Sequence, residues 1–286
     1  MNRNTRFLIV GLGLIGGCYA RRLTALGHSV DALDTDPDAI AYAQAEGIIR
    51  RGAAMDEELV READVVIFGL YPKALIAWLR AHQGALQPGA LLTDVSGVKT
   101  GVVDVIQSFL RPDVEFVGAH PMAGREVSGV RNSDARIFQD ANFLITPTEK
   151  NTRAGIEAVH ELAEILGFAR ISLLSPAEHD EMVGFLSQLT HVIAMSLMNC
   201  NENPNLAAYT GDSFRDLTRI ARINDRMWSE LFLLNRETLL RQIDAFTAEL
   251  AAVRQDLVSG DEDDLRDRMR RSTARRALFD KEKKPN

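Results

Sequence analysis

"GLGLIGG", residues 11–17, follows the apolar run Phe7-Leu8-Ile9-Val10. Glycine-rich turns join strands to helices in many folds, so its meaning depends on the chain around it. Arg6 to Val10 is short, apolar and bounded by glycine, which suits a buried parallel strand. Residues 14–26 carry helical spacing through Leu14, Ile15, Cys18, Tyr19, Leu23 and Leu26, and Gly27 provides a stop. Ser29 to Asp34 reads as the next strand. The turn therefore sits between a strand and a helix, as a dinucleotide-binding fingerprint requires. Gly11 allows the tight turn, Gly13 lets the backbone approach a pyrophosphate, and Gly16 lets the helix pack close to the strand. The free N–H groups of the first helical turn, at Leu14 and Ile15, point at that pyrophosphate. Asp34 ends the second strand. A carboxylate there accepts hydrogen bonds from the ribose hydroxyls and repels a 2′-phosphate, which favours NAD over NADP. Thr35 and Asp36 follow it, with no arginine to clamp a phosphate.

Further strands are expected at 64–70, 90–96, 115–121, 142–148 and 169–175, with an amphipathic helix at 151–168. Strand–helix alternation predicts an α/β fold with a doubly wound, Rossmann-type parallel sheet over residues 1–174. After Pro176 the pattern turns helical. One helix is expected at 176–200, with Glu178, Asp180 and Glu181 in its first turn, where acid suits the helix dipole. Residues 201–211 read as a loop, 213–222 and 225–257 as helices, Gly260 as a break, and 261–282 as a mixed-charge helix ending in a solvated "KEKKPN" tail. Residues 175–286 thus form an all-helical second domain. So much apolar helical surface makes a homodimer the default expectation.

The chain has 286 residues, 46% of them hydrophobic, and a net charge of -7. No half is strongly basic, so neither nucleic acid nor an anionic membrane is an expected partner. Cys18 and Cys200 form no CxxC pair and read as buried thiols in a reducing compartment, with no metal site. No signal peptide and no run of about 18 apolar residues is evident, so a cytoplasmic protein is expected.

Three clusters carry chemistry. "GAHPMAGRE" (118–126) places His120 at the carboxyl end of a strand, where ligands of doubly wound sheets bind and where a histidine can accept a proton near neutral pH. The bland reading is a structural strand-end histidine. "SQLTH" (187–191) sets Ser187, Gln188 and His191 at helical spacings on one face; alternatively this is a buried face with a satisfied histidine. "GDSFRDLTRIARINDRMW" (211–228) carries four arginines and ends at Trp228. Arg215 and Arg219, a turn apart, could bind a dicarboxylate or could simply pair with Asp212 and Asp216.

With "TDVSGVK" (93–99), "HPMAG", "SQLTHVIA", "FRDLTRIA" and the downstream "MW" in this order, the chain resembles the prephenate/arogenate dehydrogenase family over roughly residues 6–280. The resemblance implies a Rossmann domain followed by a helical dimerisation domain. It implies oxidative decarboxylation of prephenate with NAD: a hydride leaves ring C4, the C4 hydroxyl loses its proton, and CO2 departs as the ring becomes aromatic. It has His120 take the hydroxyl proton or hydrogen-bond it, and gives Arg219 a substrate carboxylate and His191, Glu126 and Trp228 the substrate side. Gln188 and Asp212 join that side at departures from the family pattern, which often has a second histidine and a glycine there. The family's serine usually follows the glycine after "TD"; here Ser96 precedes Gly97, so Ser96 is a catalytic candidate displaced by one position.

Other readings are arogenate dehydrogenase and a different two-domain NAD-dependent hydroxyacid dehydrogenase. The latter predicts a catalytic lysine on the helical domain, and residues 176–257 contain none. A nucleotide-sensing protein without catalysis would be favoured only if His120 or Arg219 were missing.

Overall fold

The computed structural model describes residues 1–280. Eight strands form one sheet: β1 (Arg6–Val10), β2 (Ser29–Leu33), β3 (Gly52–Ala53), β4 (Val65–Phe68), β5 (Leu91–Asp94), β6 (Glu115–Met122), β7 (Asn142–Thr146) and β8 (Arg170–Leu173). Their order is β3-β2-β1-β4-β5-β6-β7-β8. The central strands are apolar throughout because helices cover both faces: α1 (Leu14–Ala25), α2 (Pro37–Ala45), α3 (Glu57–Glu62), α4 (Pro72–His82), α5 (Thr100–Phe109) and α6 (Arg153–Leu166). Chain order reverses on either side of β1, which pairs in parallel with both β2 and β4. This is the switch point where a crevice opens beyond the strand ends.

The sheet departs from the all-parallel expectation at one place. β7 runs antiparallel to β6, with His120 opposite Leu144, and β8 returns parallel to β7. The link from β6 to β7 holds only two short 3-10 turns, Val130–Asn132 and Ala135–Phe138. Without a crossover helix the chain comes back reversed.

Beyond β8, Ser175 and Glu178 form a reciprocal capping box and Pro176 sits at the first helical position, which starts α7 (Pro176–Val183). A π-helical turn, Gly184–Leu189, leads directly into α8 (Thr190–Asn199). Contrary to expectation, the continuous run Pro176–Asn199, at mean hydropathy 1.2, is long and apolar enough to cross a bilayer. Near its start, His179 and Asp180 bond to the sheet-bearing part of the chain. Cys200, expected to be buried, is exposed, because it lies just past the last turn of α8; Cys18 is buried in α1.

A 3-10 segment (Pro204–Tyr209), α9 (Asp212–Thr218), a 3-10 turn (Arg219–Ala221) and α10 (Asp225–Leu234) follow. The helix expected at 225–257 is broken at Asn235, whose buried side chain donates to the Asp180 carbonyl and to Gln188 Oε1, both at 2.9 Å. α11 (Arg236–Ser259) and α12 (Glu262–Ala277) come next, separated by Gly260 at φ +71. The residues group into two compact units, Met1–Arg236 and a second beginning at Glu237. Within the second, Arg268 bridges Asp256 (2.5 Å) and Glu249 (2.9 Å). The end of the expected last helix, 281–282, and the whole "KEKKPN" tail, 281–286, lie outside the described residues.

Candidate active site

The glycine turn has the geometry of an anion cradle. Gly11 adopts φ +101, and a Cβ on Gly16 would collide with the Gly11 carbonyl oxygen, so neither position tolerates a side chain. Around Gly13 nothing lies within 4 Å of where a Cβ would be, which leaves room for a phosphate to approach the backbone. No side chain caps α1, so the N–H groups at Leu14 and Ile15 have no capping oxygen before them. Asp34 stands just past β2. Its Oδ2 accepts from Leu12 N (2.5 Å) and its Oδ1 from Asp36 N (2.8 Å). Each oxygen keeps a lone-pair direction for a ribose hydroxyl.

His120 sits on β6 beyond the end of β5. Its Nδ1 lies 2.9 Å from His179 Nε2, and His179 Nδ1 lies 2.8 Å from Asp180 Oδ1. Asp180 also accepts the backbone N–H groups of Lys99 (Oδ1) and Thr100 (Oδ2), both at 2.8 Å. These contacts assign the protons. Burial opposes ionisation of Asp180, but the bonds from His179 and from the two N–H groups outweigh it and hold the carboxyl below its usual range. A carboxylate accepts only, so His179 Nδ1 donates. The neutral ring then accepts at Nε2, and His120 Nδ1 must donate to it. That leaves His120 Nε2 without its proton, as an acceptor. Burial first, then neighbouring His179 and Lys99, push His120 well below the ordinary histidine value; burial does the same to His179. Both rings are therefore neutral at pH 7.

Next to that free nitrogen stands Gly97. A Cβ there would lie 3.8 Å from His120 Nε2 and Cε1. Ser96, the sequence candidate, is buried elsewhere. Its Oγ bonds the Asp94 carboxylate, lies 3.0 Å from the Val98 carbonyl and accepts from Lys99 Nζ at 3.3 Å. His179 and Asp180 were missed in the sequence, where Asp180 registered only as an acid in a first helical turn; their neighbourhood with His120 is set by packing of α7 on the sheet.

The remaining candidates divide. His191 stacks on Trp228, ring centroids 3.7 Å apart, and its Nδ1 donates to the Ser187 carbonyl at 2.8 Å. Burial pushes its pKa down. Gln188 is wholly buried and its amide accepts from Asn235. The π turn widens the helix here, so the i,i+3 spacing that aligned Gln188 with His191 in an α-helix no longer applies. Arg219 is ion-paired with Glu126, and Arg215 with Asp212 at 2.9 Å. Both arginines line, with Arg222, Phe214 and Met198, an open cleft of about 590 Å³.

A nucleotide cradle at the switch point of a doubly wound sheet, and a histidine fixed as proton acceptor, define a nucleotide-dependent dehydrogenase. The chain belongs to the prephenate dehydrogenase family: residues 19–172 match its nucleotide-binding domain and residues 175–271 its dimerization domain. It is 31% identical over 256 residues to a prephenate dehydrogenase of Bacillus subtilis, covering 86% of this chain and 68% of that protein. It is 32% identical over 279 residues to a cyclohexadienyl dehydrogenase of Zymomonas mobilis, covering 94% of each. Among solved structures it is similar to the A. aeolicus prephenate dehydrogenase in complex with hydroxyphenyl propionate and NAD+, at a TM-score of 0.89 and 29% identity, covering 96% of this chain and 98% of that one.

Proposed function

We propose that the protein oxidatively decarboxylates prephenate to 4-hydroxyphenylpyruvate with NAD, in tyrosine biosynthesis, as a cytoplasmic homodimer. The observation that carries this reading is the unprotonated Nε2 of His120, fixed by His179 and Asp180. His120 Nε2 takes the proton of the C4 hydroxyl. NAD, when bound on the Gly11–Gly16 turn, accepts the C4 hydride and its two electrons. The electrons of the bond to the C1 carboxylate enter the ring as CO2 departs, and His120 returns its proton to the oxygen, now phenolic. Arg219 holds a substrate carboxylate, displacing or sharing Glu126, and the His191–Trp228 stack walls the substrate side. Ser96 supports the site through Asp94 and Lys99, while Gly97 leaves space beside the base.

The keto acid is favoured over arogenate because Asp212, the acid that stands where the family pattern often has a glycine and the candidate partner for an ammonium, is already neutralised by Arg215. Residues 1–174 and 175–286 are the proposed functional domains, supported by the extents of the two family matches. Exposed apolar side chains on the helical part, among them Phe185, Leu186 and Tyr209, support a second copy as partner. The test is NADH formation with prephenate and with arogenate in parallel, each with NAD and NADP. Prephenate with NAD is expected to be the most efficient pair; higher efficiency with arogenate or NADP would overturn the corresponding part.

A further inference from the structure

Lys99 is a fully buried ammonium that takes no part in the proton and hydride transfers above. Such a charge persists only when paired and hydrogen-bonded. Its Nζ meets three acceptors for its three protons: Asp94 Oδ2 at 2.7 Å, the Ala119 carbonyl at 2.5 Å and Ser96 Oγ at 3.3 Å. Asp94 Oδ1 in turn accepts from Ala119 N at 3.0 Å. The β5–β6 ladder ends at Thr93 opposite Val117. Past that point one ion pair replaces the missing strand and grips both the N–H and the carbonyl of Ala119, the residue before His120. The backbone N–H of the same lysine donates to Asp180, at the far end of the histidine relay.

We propose that Lys99, with Asp94, is the positioning residue of the His120 base: it fixes the peptide that carries His120 and anchors the carboxylate that orients His179. This rests on the reading of His120 as the proton acceptor. Lys99 also places a positive charge near both rings, which opposes their protonation after burial has done so. The groups facing His120 are His179 from α7, with Asp180 behind it, and Lys99 and Asp94 from the end of β5 and the loop before α5.

The test uses the full chain with prephenate and NAD, and three variants: Lys99→Met, the charge-neutral double Lys99→Met/Asp94→Asn, and His120→Asn. The double variant avoids an orphaned carboxylate and stands in if Lys99→Met does not fold. Circular dichroism establishes folding, and kcat/KM is followed against pH. A folded Lys99 variant is expected to lose tenfold or more in kcat with KM for NAD unchanged. In Lys99→Met the acid limb should also move to higher pH, because removing a nearby cation raises the imidazole pKa. A folded variant with kcat within twofold of the parent and its acid limb in place would make Lys99 merely structural and overturn the proposal. Full activity in His120→Asn would instead overturn the base assignment on which it rests.

Discussion

At the scale of single residues, the site works by assigning protons. The proposed role of His120 as base rests on a carboxylate two groups away that dictates its tautomer. His120→Asn is expected to keep the fold and nucleotide affinity while lowering kcat by roughly 10²–10⁴-fold, the usual worth of a general base; steady-state kinetics check it. Because the base acts when neutral and its pKa lies well below the ordinary 6.5, kcat/KM should fall only at pH values below that, and a midpoint above 7 would contradict the burial argument. Asp34 ties the glycine turn to the end of β2 and is the proposed acceptor for the ribose hydroxyls. Asp34→Ser should weaken NAD by ~1–3 kcal/mol in a calorimetric titration, through lost charge-assisted bonds. These residues differ in how far the sequence revealed them. His120, Asp34 and the glycines stand at fixed offsets in short motifs, so local spacing was enough. His179 and Asp180 are about 60 residues from His120 and meet it only through tertiary packing. Ser96 illustrates the opposite limit: the right residue type in the right motif, with its hydroxyl turned to Asp94.

At the scale of elements, legibility followed how far each one obeys a repeating period. The central strands and α1 were plain because burial on both faces makes a strand continuously apolar and a covering helix amphipathic. The reversal of β7 was not, since a strand's sequence pattern carries no direction; it is the link between β6 and β7 that decides. Nor was the division at Asn235, which reflects one side chain bonding inward rather than a breaker residue. The π turn likewise shifts Gln188, and the single glycine at its start, Gly184, is one that an ordinary helix tolerates. The α1–β1 junction gives a direct test of packing. Gly16→Ala puts a methyl group against the Gly11 carbonyl. It should cost ~1–3 kcal/mol of stability by overpacking and weaken nucleotide binding at the same time. Denaturant melts with and without NAD separate the two effects.

At the scale of the whole molecule, the proposed substrate preference rests on how the arginines of residues 211–228 are shared out. Arg215 is held by Asp212 and Arg219 by Glu126. Asp212, exposed and already paired, is not expected to select the substrate's amino or keto tail. Asp212→Gly should leave prephenate turnover within a few-fold. If that variant instead exchanged an arogenate preference for a prephenate one, Asp212 would be the partner of the substrate ammonium. Among these features the arginines were visible in the sequence, and so was Asp212, the partner of Arg215 three residues away; the pairing of Glu126 with Arg219 was not, because Glu126 lies 93 residues before Arg219 in the chain.

α5 begins at Thr100 with no oxygen from its own cap residue; its first N–H groups are closed by Asp180, from a helix that follows the whole sheet. The same carboxylate terminates the histidine relay. A ribosome releasing this chain from its N-terminus therefore completes a nucleotide cradle long before it completes a base. Until residue 180 has emerged and docked, the carboxylate that sets the tautomer of His120 is missing, so on the proposed reading the capacity to turn over substrate arrives in one late step.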